Sequence, residues 1–421
     1  MNTNEPVDVV VVGAGLAGLT AAAGAAASGC RVVVIDGRSP GGRARTDDRD
    51  GFRFNQGPHA LYTAGPGASV LRRLGLIPTG GRPALEAATA WRDGKLWPLP
   101  FTASGLLTTR LLNGRDKAQV ARFFASVAAT RSDRLAGMSA AAWLASLDLR
   151  ADALQLVTAL TRVATYASNL ELLSADAAAR QDQLALRGGV SYLDGGWQTL
   201  VDGLSRGATE NGASILVGRG AQGLEAHGSD WIVHTSDGEL HTPSVILAVG
   251  DPEATRRLLP ADPGWKPGVE ATAACLDLGV RRPPRYRIAF GLDEPLYLST
   301  HCPPAQLAPP GSAVVHVMRY GARSSDVDRP QLETLARTAG IDEADIVTHR
   351  FLHRMVVAHR LPQPGLGLKG RPPVEVPGMR GVFVAGDWVG PVGLLADASL
   401  VSAEAASVAA VANVQRSLSA A

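Results

Sequence analysis

Val7-Asp8-Val9-Val10-Val11-Val12 runs directly into Gly13-Ala14-Gly15-Leu16-Ala17-Gly18, and the reading of the fold turns on this stretch. A near-continuous valine run predicts a parallel strand buried on both faces. The glycines then allow a tight turn (Gly13), a close backbone approach to a pyrophosphate (Gly15) and close packing of helix on sheet (Gly18). Leu16 and Ala17 open an alanine-rich helix, and a second valine strand ends at Asp36. The helix N-terminus offers unpaired N–H groups and a positive dipole end to phosphate. Asp36 follows Gly18 by 18 residues, near the roughly 20 at which an acid meets ribose hydroxyls. A glycine triplet alone is a weak signal. With both strands, the helix and the acid, it predicts a site for the ADP half of a dinucleotide.

The residues beyond Asp36 narrow the choice. Gly37 and Arg38 lead to Gly41-Gly42-Arg43-Ala44-Arg45-Thr46, then to Phe52-Arg53-Phe54-Asn55-Gln56-Gly57-Pro58-His59. Nicotinamide enzymes normally run from the second strand into an ordinary helix, whereas here a basic loop and a second glycine turn follow. Far along the chain, Val382-Phe383-Val384-Ala385-Gly386-Asp387-Trp388 reads as a strand ending in an acid. Gly393-Leu394-Leu395-Ala396-Asp397-Ala398-Ser399-Leu400 reads as the opening of a long helix.

On these motifs the chain resembles the FAD-dependent amine oxidase and phytoene desaturase superfamily. The resemblance spans the first 60 residues, the segment around Gly195 to Gly250 and the last 50. It implies an α/β fold, a Rossmann-like FAD-binding domain with an interleaved α+β substrate domain. Gly13, Gly15, Leu16, Ala17, Gly18, Asp36, Gly37 and Arg38 would hold the ADP portion. Gly42 and Arg43 would lie along the pyrophosphate and flavin, with Gly57, Pro58 and His59 beside the isoalloxazine. Ala221 would meet the adenine through its backbone, and Gly386 and Asp387 the ribityl or phosphate portion. The helix start at Leu394 and Leu395 would point at N1 and O2 of the ring, stabilising the charge of reduced flavin. Two departures stand out: the second-strand acid is Asp rather than Glu, and Asn55 replaces a frequent acid. No cysteine stands where the family forms a covalent flavin link, so the resemblance implies non-covalent FAD.

Length and composition agree. A chain of 421 residues can bury a full core, and its net charge of +2 implies no nucleic-acid partner. Only Lys95, Lys117, Lys266 and Lys369 among the basic residues are lysines, which reads as a GC-rich genome rather than an anion-binding surface. Cys30, Cys275 and Cys302 are scattered, without metal spacing, as suits a reducing cytoplasm. The first apolar run contains Asp8 and the glycine turn, and the C-terminal helix contains Asp397 and Glu404. Neither therefore reads as a signal peptide or membrane span.

Trp91 to Trp97 reads as a hairpin about Asp93-Gly94, within a loop and strand region from Pro78 to Pro100. Residues 101–187 carry helical periodicity: Val120, Phe123, Phe124 and Val127 form one stripe, and Trp143, Leu144, Leu147, Leu154, Leu156, Val157 and Leu160 continue it. Tyr192 to Leu200 reads as a helix opening, Gly212 to Val217 and Val245 to Gly250 as strands, and Trp231 to Thr235 as a hairpin with Glu239 to His241. Pro252 to about Pro310 reads as proline-rich and strand-like, with strands at Ile288–Leu292 and Ala313–Met318. The expected division is 1–75, 188–255 and 370–421 for the FAD domain, and 76–187 and 256–369 for the substrate domain.

A flavin carries hydride chemistry itself, so a strong catalytic acid or base is optional. Candidates on the substrate side are His59, Tyr297, His301, His316, Arg319, His353, Arg354 and Trp388. Trp388 is expected to line the cavity or join an aromatic cage, and Lys266 is a poor candidate for a lysine near N5. The expected reaction is hydride removal from a C–H bond of a small apolar or amphipathic metabolite, with oxygen or another acceptor. Two alternatives are an amine or amino-acid oxidase releasing hydrogen peroxide, and a redox-neutral isomerase. Every strong motif grips the cofactor, and none grips the substrate.

Overall fold

The valine runs become the centre of a five-stranded sheet in the computed structural model, which describes residues 7–99 and 109–420. Its order is Ser214–Val217, Val32–Asp36, Val9–Val12, Ser244–Leu247 and Val382–Val384, with every pair parallel. Alternation along the strands splits the valines between two layers. Val9, Val11, Val34 and Ile246 pack under the helices Leu16–Ala27, Gln198–Glu210 and Leu395–Ala420. Val10, Val12, Ile35, Val245 and Leu247 pack on an antiparallel meander of Ala221–His227, Asp230–Thr235 and Gly238–Thr242 through Leu224, Trp231, Val233 and Leu240. Covering both faces explains why the strands are apolar throughout.

Alanine makes the helical layer thin. A Cβ on Gly24 would lie 2.7 Å from Ser407 Oγ, so the first helix reaches the C-terminal one at near backbone contact. Leu395–Ser419 is long and apolar enough to cross a membrane by length and composition. Here Leu400, Ala403, Ala406, Ala410 and Val414 of that helix are buried in the core, which accounts for the composition.

A second, seven-stranded sheet runs Ile346–Ala358, Ala271–Val280, Ala313–Tyr320, Leu296–Cys302, Ile288–Gly291, Ala88–Arg92 and Lys95–Pro98. One face packs Leu276, Leu278, Leu298, Val315 and Val317 against Leu332, Leu335 and Ala336 of the helix Ser325–Thr338. The other face carries Ile288, Phe290, Tyr297 and Met318 toward the helices Gly114–Ala129 and Ala151–Thr165. The Asp93-Gly94 hairpin forms with positive φ at both residues (52° and 71°), as its turn type demands.

Some local readings differ. Tyr192 and Leu193 end the strand Val190–Leu193, and the helix starts only at Gln198, after the positive-φ pair Gly195 and Gly196. Within the strand-like 252–310 stretch, Pro252–Leu258 is a helix: Asp251 accepts from Glu253 N at 2.8 Å and Pro252 occupies the first turn, where its missing N–H costs nothing. Val120, Phe123 and Val127 are buried as their stripe predicts. The opening of that helical region (101–108) and Pro100 lie outside the described residues.

Candidate functional site

The first glycine turn divides structural from exposed positions. Gly13 has φ of 105°, and a Cβ there would lie 2.6 Å from Ala248 O. A Cβ on Gly18 would meet Gly13 O at 1.8 Å, so that glycine exists to let the helix touch the turn. At Gly15 a Cβ would meet nothing within 4 Å, because the bare backbone faces open space. Gly15 is also the N-cap of the first helix and brings no side-chain cap, leaving first-turn N–H groups for a ligand. The second turn clasps the first: Gly41 N donates to Ala14 O at 2.8 Å. Asp36 accepts from Ala14 N at 2.7 Å and Arg38 N at 2.8 Å, which leaves lone pairs on both oxygens.

Both turns open onto a single cavity of about 1600 Å³. Ligand pockets usually measure about 300–1,000 Å³, so this one has room for a dinucleotide and a further small molecule. Gly13, Gly15, Leu16, Ala17, Asp36, Gly37, Arg38 and Ala221 line it on the side of the first glycine turn. Gly42, Arg43, Pro58, His59, Gly386, Asp387, Leu394 and Leu395 line its middle. Gly18 and Gly57 stand behind the wall; a Cβ on Gly57 would strike Met355 Sδ at 2.7 Å.

Electrostatics in the middle centre on Asp387, whose carboxylate is 1 % exposed. It accepts from Arg43 Nη2 at 2.6 Å, from His359 N at 2.7 Å and from the His359 ring at 3.0 Å. Burial alone would raise its carboxyl, but Arg43 and His359 outweigh that and hold it well below the usual range. The acid at this strand end therefore organises its own neighbours. His59 packs edge-on against Trp197, ring centroids 4.9 Å apart, and burial pushes its imidazole down to about 4. Asp397, in the first turn of the C-terminal helix, accepts from Gly67 N at 3.0 Å while its Oδ2 has no partner among the described residues. Burial raises it to about 7, although helix starts favour negative charge.

The far end is aromatic and apolar. Tyr297 and His301 line it, together with Tyr62, Tyr166, Tyr192, Phe290 and Met318. Asp182, from the helix Ala175–Gly188, is the buried acid in this wall; Thr161 Oγ1 donates to it at 2.9 Å, and burial raises it to about 7. His353 and Arg354 line the cavity as well, and Arg354 pairs with Glu270 at 2.9 Å. His316 is fully buried behind the wall, and Arg319 points elsewhere, donating to Gln331 at 2.8 Å.

Trp388 corrects an expectation. It is buried in the layer opposite the helices, edge-on to Trp265 at 4.9 Å and clustered with Val245, Leu247, Val382 and Val384. Side-chain directions alternate as the chain leaves the strand, so turning Asp387 toward Arg43 sends its neighbour into the core. Among the described residues, Trp388 joins no aromatic cage and does not line the cavity.

Sequence reasoning missed His359, Asp182, Tyr62, Tyr166 and Tyr192. The last of these lay inside a segment read as helix, and none belongs to a local pattern. Cys275, Asp277 and His316 place potential metal-binding atoms within 4.8 Å of one another. Arg350 already donates to Asp277 Oδ2 through Nε (2.9 Å) and Nη2 (2.5 Å), so the charge there is neutralised by a guanidinium.

Known proteins match this geometry. The model of the NAD(P)-binding Rossmann-like domain matches residues 11–74, which contain both glycine turns and Asp36. A protein of Mycobacterium tuberculosis named as a flavin-containing monoamine oxidase is 30 % identical over 291 residues, 64 % of this chain and 63 % of its own. Hydroxyneurosporene desaturase of Rhodobacter capsulatus is 38 % identical over 127 residues, 28 % of this chain and 25 % of its own. Over these segments the chain is similar to proteins of the amine oxidase and phytoene desaturase superfamily. Its matched segments span between 20 % and 63 % of the length of the first such relatives. Among solved structures, an oxidoreductase from Methanosarcina mazei superposes with a TM-score of 0.76 at 20 % identity, over 94 % of this chain and 99 % of that one. Putrescine oxidase bound to putrescine superposes at 0.72 and 16 % identity, over 96 % and 98 %. These likenesses establish the fold, and relatives named as amine oxidases and desaturases imply a flavin cofactor in general.

Proposed function

We propose that this protein is an FAD-dependent oxidoreductase that holds FAD non-covalently and removes a hydride from a C–H bond of a small apolar or amphipathic metabolite. The observation that carries the reading is the continuity of the cavity. It runs from the bare backbone of Gly15 and the Asp36 carboxylate to a wall of Tyr62, Tyr166, Tyr192, Tyr297 and Phe290. Gly15 and the first helix turn would receive the pyrophosphate, and Asp36 a ribose. Arg43, braced by Asp387, would lie along the middle of the cofactor, with His59 and the Leu394–Leu395 helix start beside its ring. The bound flavin supplies the hydride acceptor. The chain's own residues orient the substrate on the aromatic wall, keep water out and offer Asp182 as a polar anchor at its far end. The buried thiols Cys30, Cys275 and Cys302 suit the cytoplasm.

The test is spectroscopic. Purified protein should absorb as oxidised flavin and release FAD on denaturation. Anaerobic mixing with a panel of amines and of apolar alicyclic or polyene compounds should bleach that absorbance for one class. Peroxide formed on readmitting air would identify oxygen as the acceptor. Protein that neither carries nor takes up FAD refutes the reading.

A further inference from the structure

Two arginines flank a place where the cavity's apolar end meets solvent. Arg82 follows the short strand Gly80–Gly81, which pairs antiparallel with Val190–Leu193, Gly80 opposite Leu193 and Gly81 opposite Tyr192. Continuing that register sets Arg82 across from Ser191, four residues beyond Arg187. Arg187 lies in the last turn of the helix Ala175–Gly188, and Gly189, at φ of 63°, turns the chain from that helix into the strand. Both arginines line the cavity and both are exposed. Neither has a hydrogen-bond or ion-pair partner among the described residues. Leu85 and Leu186 line the cavity beside them and are 43 % and 46 % exposed, so this rim is apolar and cationic at once. Among the described residues, the acids that line the cavity are Asp36, Asp182, Asp251, Asp387 and Asp397. All but Asp182 stand at strand ends of the five-stranded sheet or at the start of the C-terminal helix, on the path assigned to the cofactor. Asp182 faces the aromatic wall, and burial raises it to about 7, so ionising it there is costly. Glu86, next to Leu85, is exposed and is not a lining residue.

We infer that the substrate is an amphipathic molecule with an oxyanion head, a carboxylate or a phosphate, which Arg82 and Arg187 hold at the rim while its apolar body runs past Leu186 and Tyr192 onto the aromatic wall. The inference rests on the oxidoreductase reading and narrows its substrate. A guanidinium is charged at every working pH, and its planar fork matches two oxygens of either head group. Holding the head at the rim spares it the cost of entering an apolar cavity, which an ion pays heavily unless it is paired. The body can then leave water against Tyr192, Tyr166, Tyr297 and Phe290, which line the cavity. The division of labour follows: burial of the body supplies affinity, and the arginines decide which end of the molecule stays outside. The same two charges disfavour a cationic amine, because like charges at an entrance repel it. An oxyanion head therefore separates this cavity from one built for amines.

Calorimetric titration of the holoprotein with decanoate, decyl phosphate, decanol and decylamine, which share one apolar chain, reads the head-group preference without turnover. At least one of the two anions should bind about tenfold or more tighter than decanol, as a charge-assisted pair of contacts would give, and decylamine no tighter than decanol. The tighter of the anions tells carboxylate from phosphate. Replacing both arginines, Arg82→Gln with Arg187→Gln, should bring the anions to within about threefold of decanol and leave the affinity for decanol unchanged. In about 1 M salt the wild-type preference should shrink in the same direction, since exposed charges are screened there. Anions no tighter than decanol, decylamine tighter than both anions, a preference that survives the double substitution, or no binding by any of the four would each overturn the inference. The flavin absorbance of the same sample judges the oxidoreductase reading separately. Protein without FAD defeats that reading, and the four affinities still decide the head group.

Discussion

Asp182→Asn should stabilise the protein, and increasingly so as pH rises. The Asp182 carboxyl is buried, its recorded partner is the Thr161 hydroxyl, and burial lifts it from 3.8 to about 7. An acid raised in the folded state contributes stability that is fully present below its unfolded pKa and lost as pH climbs to the folded value. The loss runs at about 1.4 kcal/mol per pH unit, for a total of about 4 kcal/mol across the window from 3.8 to about 7. Between pH 5 and pH 8 about two of those units are crossed, so the asparagine variant should gain about 3 kcal/mol on wild type. Urea unfolding at pH 5, 6, 7 and 8 with saturating FAD measures this. Asp397, raised to about 7 for the same reason, keeps a slope in both proteins, so the difference between them is the readout. A difference constant within about 0.5 kcal/mol, the usual scatter between independent sites, would mean the carboxyl reaches water, and the reasoning would fail.

Three further outcomes follow from geometry. Gly15→Ala should unfold like wild type yet bind FAD at least about tenfold more weakly, whereas Gly18→Ala, 1.8 Å from Gly13 O, should lose about 1–3 kcal/mol or more from overpacking; titration and denaturant curves separate the two. Trp388→Ala should cost about 3–5 kcal/mol and leave the rate of flavin bleaching unchanged, and a large rate effect at intact stability would restore Trp388 to the cavity. Asp387, held low by Arg43 and His359, contributes stability present above the ordinary carboxylate range and lost as pH falls below about 4. Asp387→Asn should flatten that acid limb in a pH-unfolding series, and an unchanged limb would show that the ion pair does not stabilise the fold.

Legibility followed distance along the chain. The glycine turns, Asp36 and the Asp93-Gly94 hairpin could be read because a backbone conformation demands those residue types within a few positions. The direction of Trp388 could not, since neighbours at a strand end differ only in which way the chain turns. Tyr62, Tyr166 and Asp182 stand in no pattern; helices packing on the second sheet bring them to one wall. The cap at Asp251 was legible in principle, but the prolines around it suggested extended chain.

The sequence by itself determined a dinucleotide turn and a sheet of buried parallel strands, because sterics and hydrophobic burial act locally and leave short signatures. Tertiary structure alone decided what the cofactor would face. His316 and Asp277 lie 39 residues apart in the chain and meet only through strand register, and His301 joins them only through a bulge. Such contacts depend on how sheets and helices dock, and no spacing in the chain encodes that.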